Sequence, residues 1–350
     1  MSWFSDLTGF HEPTSSPHST IHQQITLVDS HTPYGKLRFP NGQERQYGRL
    51  DFLSLSELRA LTSDLRDPAR GARCGLREQV GDAGELHADP ANHNALFQVA
   101  SQFNLLEMVG PQVTPERGVT GYINDHTQGP TCALAAAAGT IYRNYFVEVE
   151  GPRGLQRGQT ADAQLNGIHE LGLALGNEGD SLWSVQNGYV MPKRGGLERI
   201  HEALSAMSEE ERDHLRGLLR VGAQWDTEVT RPDAPAGQRV QQVYCSALPI
   251  PYAGGSRHLW EPFARLILEA TYEHTLRSAA LNLRERGVKT VYLTSVGGGV
   301  FGNKHEWIQD AILRALKQVE RAGLDVACVS YGRSSEGTVE LTRAWAAGAH

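Results

Sequence analysis

Glycine is concentrated in one short turn near the end of the chain, in the segment LTSVGGGVFGN at 293–303. An apolar run precedes the turn and a polar helical pattern follows it; the glycines are Gly297, Gly298, Gly299 and Gly302. Glycine lets consecutive backbone N–H groups approach a ligand closely, and the start of the next helix adds the positive end of its dipole. The turn is therefore predicted to hold a diphosphate, and a tightly packed strand-to-helix turn without a ligand is the alternative.

Three side chains beside these glycines are candidates for contact with the same ligand. Val300 and Phe301 lie inside the turn, where they could contact a sugar or a base. Asn303 follows the last glycine directly, so it could donate to a phosphate or cap a helix that starts at Lys304.

A second polar group follows an apolar run at 96–100, in the segment LFQVASQFN. Its amides and hydroxyl belong to Gln98, Ser101, Gln102 and Asn104. On an ideal strand, residues two positions apart point to the same side, which puts Gln98, Gln102 and Asn104 together. This predicts ligand recognition, with satisfied polar residues of the core as the alternative.

Several familiar chemistries fit the motifs poorly. Gly297, Gly299 and Gly302 satisfy the dinucleotide-binding motif G-x-G-x-x-G. A Rossmann site also needs an acidic residue at the end of the next strand to bind the ribose, and here Asp325 precedes that strand. A Rossmann-type NAD-dependent oxidoreductase is therefore a third choice. Lys304 has the wrong spacing for a phosphate-binding P-loop. The segment HEWIQ lacks the second histidine of a zinc peptidase, and GGSRH lacks the last glycine of a serine hydrolase elbow.

Composition excludes some partners. With 33 basic and 40 acidic residues the formal net charge is -7, so no overall basic field favours nucleic acid or an anionic membrane. The four cysteines, Cys74, Cys132, Cys245 and Cys328, are far apart and form no CxxC pair, which favours buried thiols over a metal site or a disulfide framework. We expect a cytoplasmic protein with no metal, no cofactor and no membrane segment.

The elements that must position these residues alternate between strand and helix. From about 239 to 332 the chain reads as strand, long helix, strand, glycine turn, helix and strand, which predicts an α/β layer around a largely buried sheet. Residues 1–90 are polar and read as an N-terminal extension, with a hairpin about Asn41 and Gly42 and a helix from 54 capped by Ser54 or Ser56. Residues 151–242 read as a mainly helical insertion within a domain over 91–350.

The order of these motifs resembles the macrodomain, an ADP-ribose-binding module. In that family a strand, a long helix and a second strand ending in a glycine-rich phosphate loop recur, as VYCSALPI, LILEATYEHTL and VYLTSVGGGVFGN do here. An early macrodomain strand ends in Asn-Ala-Ala-Asn, and FQVASQFN is similar, with Ser101 and Asn104 at the positions of the two asparagines. The resemblance implies a three-layer α/β/α fold with a mixed sheet.

The resemblance also implies a function, which is to bind ADP-ribose or ADP-ribosylated protein and to hydrolyse the bond at the distal ribose. Asn104 would reach that ribose, and Asp125 would position or activate a water. In the poly(ADP-ribose) glycohydrolase branch, glutamates follow a glutamine at the helix start, whereas here Gln128, which we expect to contact the ligand, precedes Gly129 and Pro130. A non-catalytic reader of ADP-ribose or another NAD-derived nucleotide is therefore the alternative, with Asp125 as a loop or N-cap residue.

Overall fold

A computed structural model of the chain describes residues 2–14, 17–28, 34–66 and 71–348. Thirteen strands lie within those ranges. They are β1 (Thr26–Val28), β2 (Gly35–Arg38), β3 (Glu44–Ser54), β4 (Gly75–Val80), β5 (Leu96–Ala100), β6 (Glu148–Gly151), β7 (Gly154–Arg157), β8 (Trp183–Gln186), β9 (Tyr189–Pro192), β10 (Arg220–Glu228), β11 (Arg239–Cys245), β12 (Thr290–Leu293) and β13 (Asp325–Ser330).

Nine of these strands form one mixed sheet. Its order is β1-β2-β3-β10-β11-β5-β12-β13-β4, and β6-β7 and β8-β9 are separate hairpins. Strands β1 to β3, β10 and β11 pair antiparallel, while β11, β5, β12, β13 and β4 pair parallel. The carboxyl ends of the parallel strands therefore meet at one edge, where an open α/β sheet generally binds its ligands.

Helices cover both faces of the sheet. They are α1 (Trp3–Thr8), α2 (Pro17–Gln24), α3 (Leu55–Leu61), α4 (Ala83–Ala88), α5 (Gln128–Ala135), α6 (Ala137–Tyr145), α7 (His169–Ala174), α8 (Gly196–Ala206), α9 (Glu209–Leu218), α10 (Ile250–Ala253), α11 (Arg257–Arg286), α12 (His305–Gln318) and α13 (Glu336–Ala346). On one face α11 packs against α3, α8, α9 and α12; on the other, α5 and α6 pack against β5, β10 and β3. The predicted three-layer α/β/α arrangement is confirmed.

Most of the predicted local elements are confirmed. β2 and β3 form the hairpin around Asn41 and Gly42, in register from Lys36 opposite Gln46 to Arg38 opposite Glu44. Helix α3 begins after Ser54, whose hydroxyl accepts from the Glu57 N–H while the Glu57 carboxylate accepts from the Ser54 N–H. This reciprocal capping satisfies two donors that the first turn leaves free.

The predicted division at residue 90 and the insertion at 151–242 stay predictions. Strands β3 and β4 belong to the same sheet as the strands after residue 91. The segment 151–242 contains α7, α8 and α9, most of the two hairpins, and β10, which lies inside the main sheet between β3 and β11. Among the residues that the structure describes, none of the helices combines the length and hydropathy needed to cross a membrane.

Candidate functional site

A cleft of about 260 Å³ opens at the carboxyl ends of β5, β11 and β12. We call it the site cleft. It is lined by residues that follow these strands, by the start of α5 and by the glycine turn; they include Ser101, Gln102, Glu107, Asp125, Gln128, Tyr189, Tyr252, Gly297, Gly299, Val300 and Phe301. The structure thus brings Ser101 and Gln102 to the same cleft as the glycine turn, which is some 200 residues away in the sequence.

The glycine turn has a fixed backbone. Gly297 adopts φ of +74°, in the left-handed region, and a Cβ there would collide with Ala247. Gly299 has open space where its Cβ would be, with nothing within 4 Å. Gly298 and Gly302 belong to the turn but do not line the cleft. Two of the four glycines therefore present backbone to the site cleft.

Asn303 holds this turn in shape instead of facing the cleft. Its Nδ2 donates to the carbonyl oxygens of Leu248, Gly297 and Phe301, at 2.9, 3.3 and 3.3 Å. Helix α12 begins at His305 with Lys304 as its N-cap, so the prediction that Asn303 caps this helix is wrong. These carbonyl groups also accept from the backbone N–H groups of Ile250 and Asn303, so the amide adds further hydrogen bonds within the turn.

The predicted row of amides on one side of a strand is also wrong. Strand β5 ends at Ala100, so Gln102 and Asn104 lie in the following turn, outside the alternation of a strand. Asn104 is fully buried, donates to Gln164 Oε1 at 2.8 Å and accepts from the Leu106 N–H at 3.1 Å. Neither Asn104 nor Gln98 lines the site cleft.

The other predicted amides line the cleft but already have partners. Gln128 Nε2 donates to Gln98 O at 2.8 Å and its Oε1 accepts from the Ala100 N–H at 2.9 Å, which docks the start of α5 on β5. Gln102 Oε1 accepts from the Met108 N–H at 2.9 Å, and Ser101 Oγ donates to Gln102 O at 3.1 Å. These side chains shape the wall more than they offer free donors to it.

Asp125, the predicted catalytic carboxylate, lies on the cleft wall and is half-buried. Its Oδ1 accepts from the Thr127 N–H at 2.9 Å. This is the local bond of an aspartate that forms a turn before a helix. Within the described part of the chain, the second oxygen of this carboxylate accepts no hydrogen bond.

Sequence reasoning missed Glu107, the second carboxylate of the wall. Only 2% of Glu107 is exposed, and its two oxygens accept from Arg143 Nη2 at 3.0 and 3.2 Å. Burial raises the pKa of Glu107 to about 7, against the opposing effect of the Arg143 charge. The signal that could have found it is an acid inside the apolar run NLLEMV, where an unpaired charge would be costly.

A buried chain of hydrogen bonds holds Arg143 against Glu107. Arg143 Nη1 donates to the Tyr244 hydroxyl, Tyr244 donates to Gln242 Oε1 at 2.8 Å, and Gln242 Nε2 lies 3.0 Å from His87 Nε2. Arg143 also stacks 3.7 Å above the Tyr244 ring. The chain fixes the guanidinium that faces the carboxylate, because each buried polar group needs its partner.

Three aromatic rings form one side of the site cleft. Tyr189, Tyr252 and Phe301 contact one another with ring centroids 5.3 to 5.6 Å apart. The Tyr189 hydroxyl donates to Met108 O at 2.7 Å, which fixes the loop that follows Glu107. Val300 is 59% exposed at the rim, so apolar surface is available to a ligand there.

Two further clefts adjoin the site cleft. One, of about 290 Å³, shares Glu107, Met108, Val109 and Asp125 with it and continues to Arg117 and Tyr122. We call this the Arg117 cleft. The other, of about 790 Å³, shares Thr294 and Ser295 and runs between α12 and α13. The three clefts together make a trough along the carboxyl ends of the parallel strands.

A separate cleft of about 560 Å³ lies between α8, α9 and α11. No strand lines it, and its charged groups pair with one another: Arg216 with Glu209 and Glu269, and Arg265 with Glu261. Within the described part of the chain, no three His, Cys, Asp or Glu side chains are grouped to hold a metal ion.

No protein-family model matches the sequence, and no curated protein matches it. Among solved structures, the chain is similar to the poly(ADP-ribose) glycohydrolase of Deinococcus radiodurans in complex with ADP-ribose, at 13% identity and a TM-score of 0.44, over 84% of this chain and 92% of that one. The glycohydrolase of Thermomonospora curvata gives 12% and 0.44, over 95% and 97%. Bound to the inhibitor ADP-HPD, that enzyme gives 13% and 0.42, over 96% and 97%. These similarities are weak in sequence and in superposition.

Proposed function

We propose that this protein binds ADP-ribose or an ADP-ribosylated group and hydrolyses the bond at the distal ribose. One observation supports this most: a glycine turn suited to a diphosphate and two carboxylates, Glu107 and Asp125, border the same cleft. A sugar joined to a diphosphate is the ligand class that would meet both sides at once. Poly(ADP-ribose) and ADP-ribosylated protein are the candidate substrates.

The three clefts suggest an orientation for the substrate. The distal ribose would lie in the site cleft beside the carboxylates, with the diphosphate on the glycine turn. The adenosine would then extend past Thr294 into the cleft between α12 and α13. The group released by hydrolysis would lie beyond Glu107 and Asp125, in the Arg117 cleft.

The chemistry would be the attack of water on the anomeric carbon of the distal ribose, through a transition state of oxocarbenium character. Asp125 would accept a proton from this water, because its carboxylate is half-buried at the cleft and keeps one oxygen free of the turn. General base catalysis of this kind typically contributes about 10²- to 10⁴-fold to a rate.

A non-catalytic reader of ADP-ribose or another NAD-derived nucleotide is the second candidate. It is favoured by the bonds that both carboxylates already make, Asp125 to the Thr127 N–H and Glu107 to Arg143. A reader needs the turn and the aromatic side of the cleft but no acid. A Rossmann-type oxidoreductase is the third candidate and would bind NAD.

Two measurements separate these functions. Calorimetric titration with ADP-ribose, NAD and AMP should give the tightest binding for ADP-ribose, and absent binding would overturn both leading proposals. An ADP-ribosylated protein and poly(ADP-ribose) are then incubated with the wild type and with Asp125→Ala. We expect release of ADP-ribose by the wild type and a loss of about 10²-fold or more in the variant; binding without release leaves the reader.

A further inference from the structure

We propose that Glu107 is the acid that gives a proton to the leaving atom, so that the loop after β5 supplies the carboxylate that the start of α5 lacks. This role rests on the proposed function, in which the bond at the distal ribose is hydrolysed. Glu107 and Asp125 would then divide the work of acid and base between them.

The position of Glu107 fits a proton donor. It lies on the wall that the site cleft shares with the Arg117 cleft, between the places proposed for the ribose and for the leaving group. Asp125 lies on the same wall but is more exposed, whereas Glu107 is almost fully buried. Water reaches the more exposed carboxylate more easily, which favours Asp125 for the water and Glu107 for the leaving atom.

Position 129, at the start of α5, has no room for an acidic side chain. A Cβ at Gly129 would collide with the carbonyl oxygen of Ala100 and would lie 3.4 Å from Cγ of Glu107. The Glu107 side chain therefore packs beside the position where a side chain at 129 would begin. Glycine at 129 lets the helix approach β5 and leaves the space beside it to Glu107.

The surrounding structure fixes the loop that carries Glu107. Leu105 adopts φ of +64°, a conformation that is unfavourable for a leucine, and its carbonyl oxygen accepts from Arg143 Nε at 2.8 Å. The Glu107 N–H donates to the Tyr122 hydroxyl at 3.0 Å. An unfavourable backbone that several bonds maintain is typical of residues that a site must hold in place.

The protonation state suits the role. The ionisable groups that face Glu107 are Arg143 from α6, Tyr122 from the short 3₁₀ helix at Thr120–Asn124, Tyr244 from β11 and Cys132 from α5. Burial outweighs the Arg143 charge and raises the pKa of the carboxyl to about 7. A fraction of the molecules would thus hold the acid form near neutral pH.

In the step, the oxygen of water forms a bond to the anomeric carbon and gives one proton to Asp125. The bond from that carbon to the leaving oxygen breaks, and its electron pair stays on the oxygen, which takes the proton of Glu107. Arg143 then stabilises the carboxylate left at Glu107. Proton exchange with solvent returns Glu107 to the acid and Asp125 to the carboxylate.

Glu107→Gln tests this role because glutamine keeps the shape and an acceptor for Arg143 but has no acidic proton. We expect kcat on poly(ADP-ribose) to fall about 10²-fold or more, with the Kd for ADP-ribose within about 3-fold of wild type. The wild-type rate should fall as the pH rises through about 7, and the variant should lack this limb. Glu116→Gln, in the same loop region but on neither cleft, is the matched control and should change neither property.

ADP-ribosyl 4-nitrophenol gives a second readout, because 4-nitrophenolate leaves without needing a proton. Glu107→Gln should hydrolyse it at nearly the wild-type rate, and the alkaline limb of the wild type should weaken with this substrate. Equal losses on both substrates, or an unchanged alkaline limb, would show that Glu107 is structural, while hydrolysis itself would still stand. If the variant does not fold, the two wild-type pH profiles alone decide the question.

Discussion

Gly297 and Gly299 are two positions apart in one turn, but substitution meets different obstacles at each. Gly297 has a positive φ and its Cβ would collide with Ala247, so a side chain there disturbs the fold. Gly299 has an ordinary φ and open space beside it, and it lines the site cleft. Glycine at 297 is therefore required by the backbone, whereas the structure leaves room for a side chain at 299.

We therefore expect Gly299→Glu to abolish ADP-ribose binding without unfolding the protein, since a carboxylate would occupy the place proposed for the diphosphate. Gly297→Ala should lower the free energy of unfolding by about 1–3 kcal/mol because it strains the backbone. Calorimetric titration and urea unfolding measure the two effects. Retained affinity in Gly299→Glu would show that the turn is not the phosphate site.

The elements that could be predicted from the sequence are those whose signal is local. The alternation of strands and helices after residue 239 can be predicted because each strand is an apolar run and each helix shows the helical periodicity of apolar residues. The long predicted helix, for example, is α11, which extends over Arg257–Arg286. Strand β10 was missed because the buried polar residues Gln224, Asp226 and Thr227 interrupt its apolar pattern. Its place between β3 and β11 is set by strand pairing, with Val221 opposite Leu53. Long-range pairing leaves little trace in a local pattern.

The same distinction applies to the site. The glycine turn is contiguous, so its residues were predicted together. Glu107, Arg143 and Tyr244 come from a loop, a helix and a strand, and only the fold makes them neighbours. The amide row failed because it assumed that β5 continues past Ala100.

Strand β11 takes part in the site through Tyr244, whose hydroxyl links Arg143 to Gln242. Tyr244→Phe should cost about 1–3 kcal/mol of stability, since it leaves buried groups unpaired, and should also lower the rate of hydrolysis by loosening Arg143. Urea unfolding and initial rates measure the two effects. Tyr292→Phe is the matched control, because its hydroxyl donates to Asn92 at 2.7 Å away from the cleft; there we expect lost stability with an unchanged rate. Equal rates of hydrolysis in Tyr244→Phe and Tyr292→Phe would contradict a role in hydrolysis for the hydrogen bonds through Tyr244.

The N-terminal segment contributes to the Arg117 cleft through Glu12. Its oxygens accept from the Val119 N–H at 2.9 Å, the Thr120 N–H at 2.6 Å and the Tyr145 hydroxyl at 2.7 Å. Glu12→Gln removes one acceptor and should raise KM for poly(ADP-ribose), because the turn after Arg117 loosens, while the Kd for ADP-ribose stays unchanged.

Arg117→Ala should also raise KM for poly(ADP-ribose), since Arg117 would face the anionic leaving group. Arg153→Ala, on an exposed hairpin, is its control. A change in Kd as large as the change in KM would argue against a separate leaving-group cleft.

At the scale of the whole molecule, two buried histidines link the stability of the fold to pH. Burial lowers the pKa of His87 and of His274 to about 4, from an ordinary value of 6.5. His87 Nδ1 lies 2.6 Å from Ala83 O and its Nε2 faces the donor Nε2 of Gln242, so a second ring proton would meet a donor. Burial therefore disfavours the charged form of both rings in the folded protein, and at His87 the contact with Gln242 adds to this effect.

The sign of the effect follows from linkage. A histidine with a lowered folded pKa contributes stability that is present above pH 6.5 and is lost as the pH falls toward 4. Glu107 has the opposite effect, because its pKa is raised from 4.5 to about 7 in the folded protein. Between these two pH values the folded state holds the extra proton, so the contribution of Glu107 to stability rises as the pH falls. Two histidines outweigh one glutamate, so we expect the free energy of unfolding to fall from pH 6.5 to 4.5.

Urea unfolding across this range tests the balance. His274→Gln keeps a donor for Leu53 O but cannot titrate, so its stability curve should be flatter than that of the wild type by up to about 1.4 kcal/mol per pH unit. The exposed His126→Gln should leave the slope unchanged. Glu107→Gln should steepen the loss of stability on acidification, because it removes the one group among these that favours the folded state as the pH falls. If the free energy of unfolding of His274→Gln and of Glu107→Gln follows the same pH dependence as that of the wild type, the acid sensitivity of the fold arises from other groups.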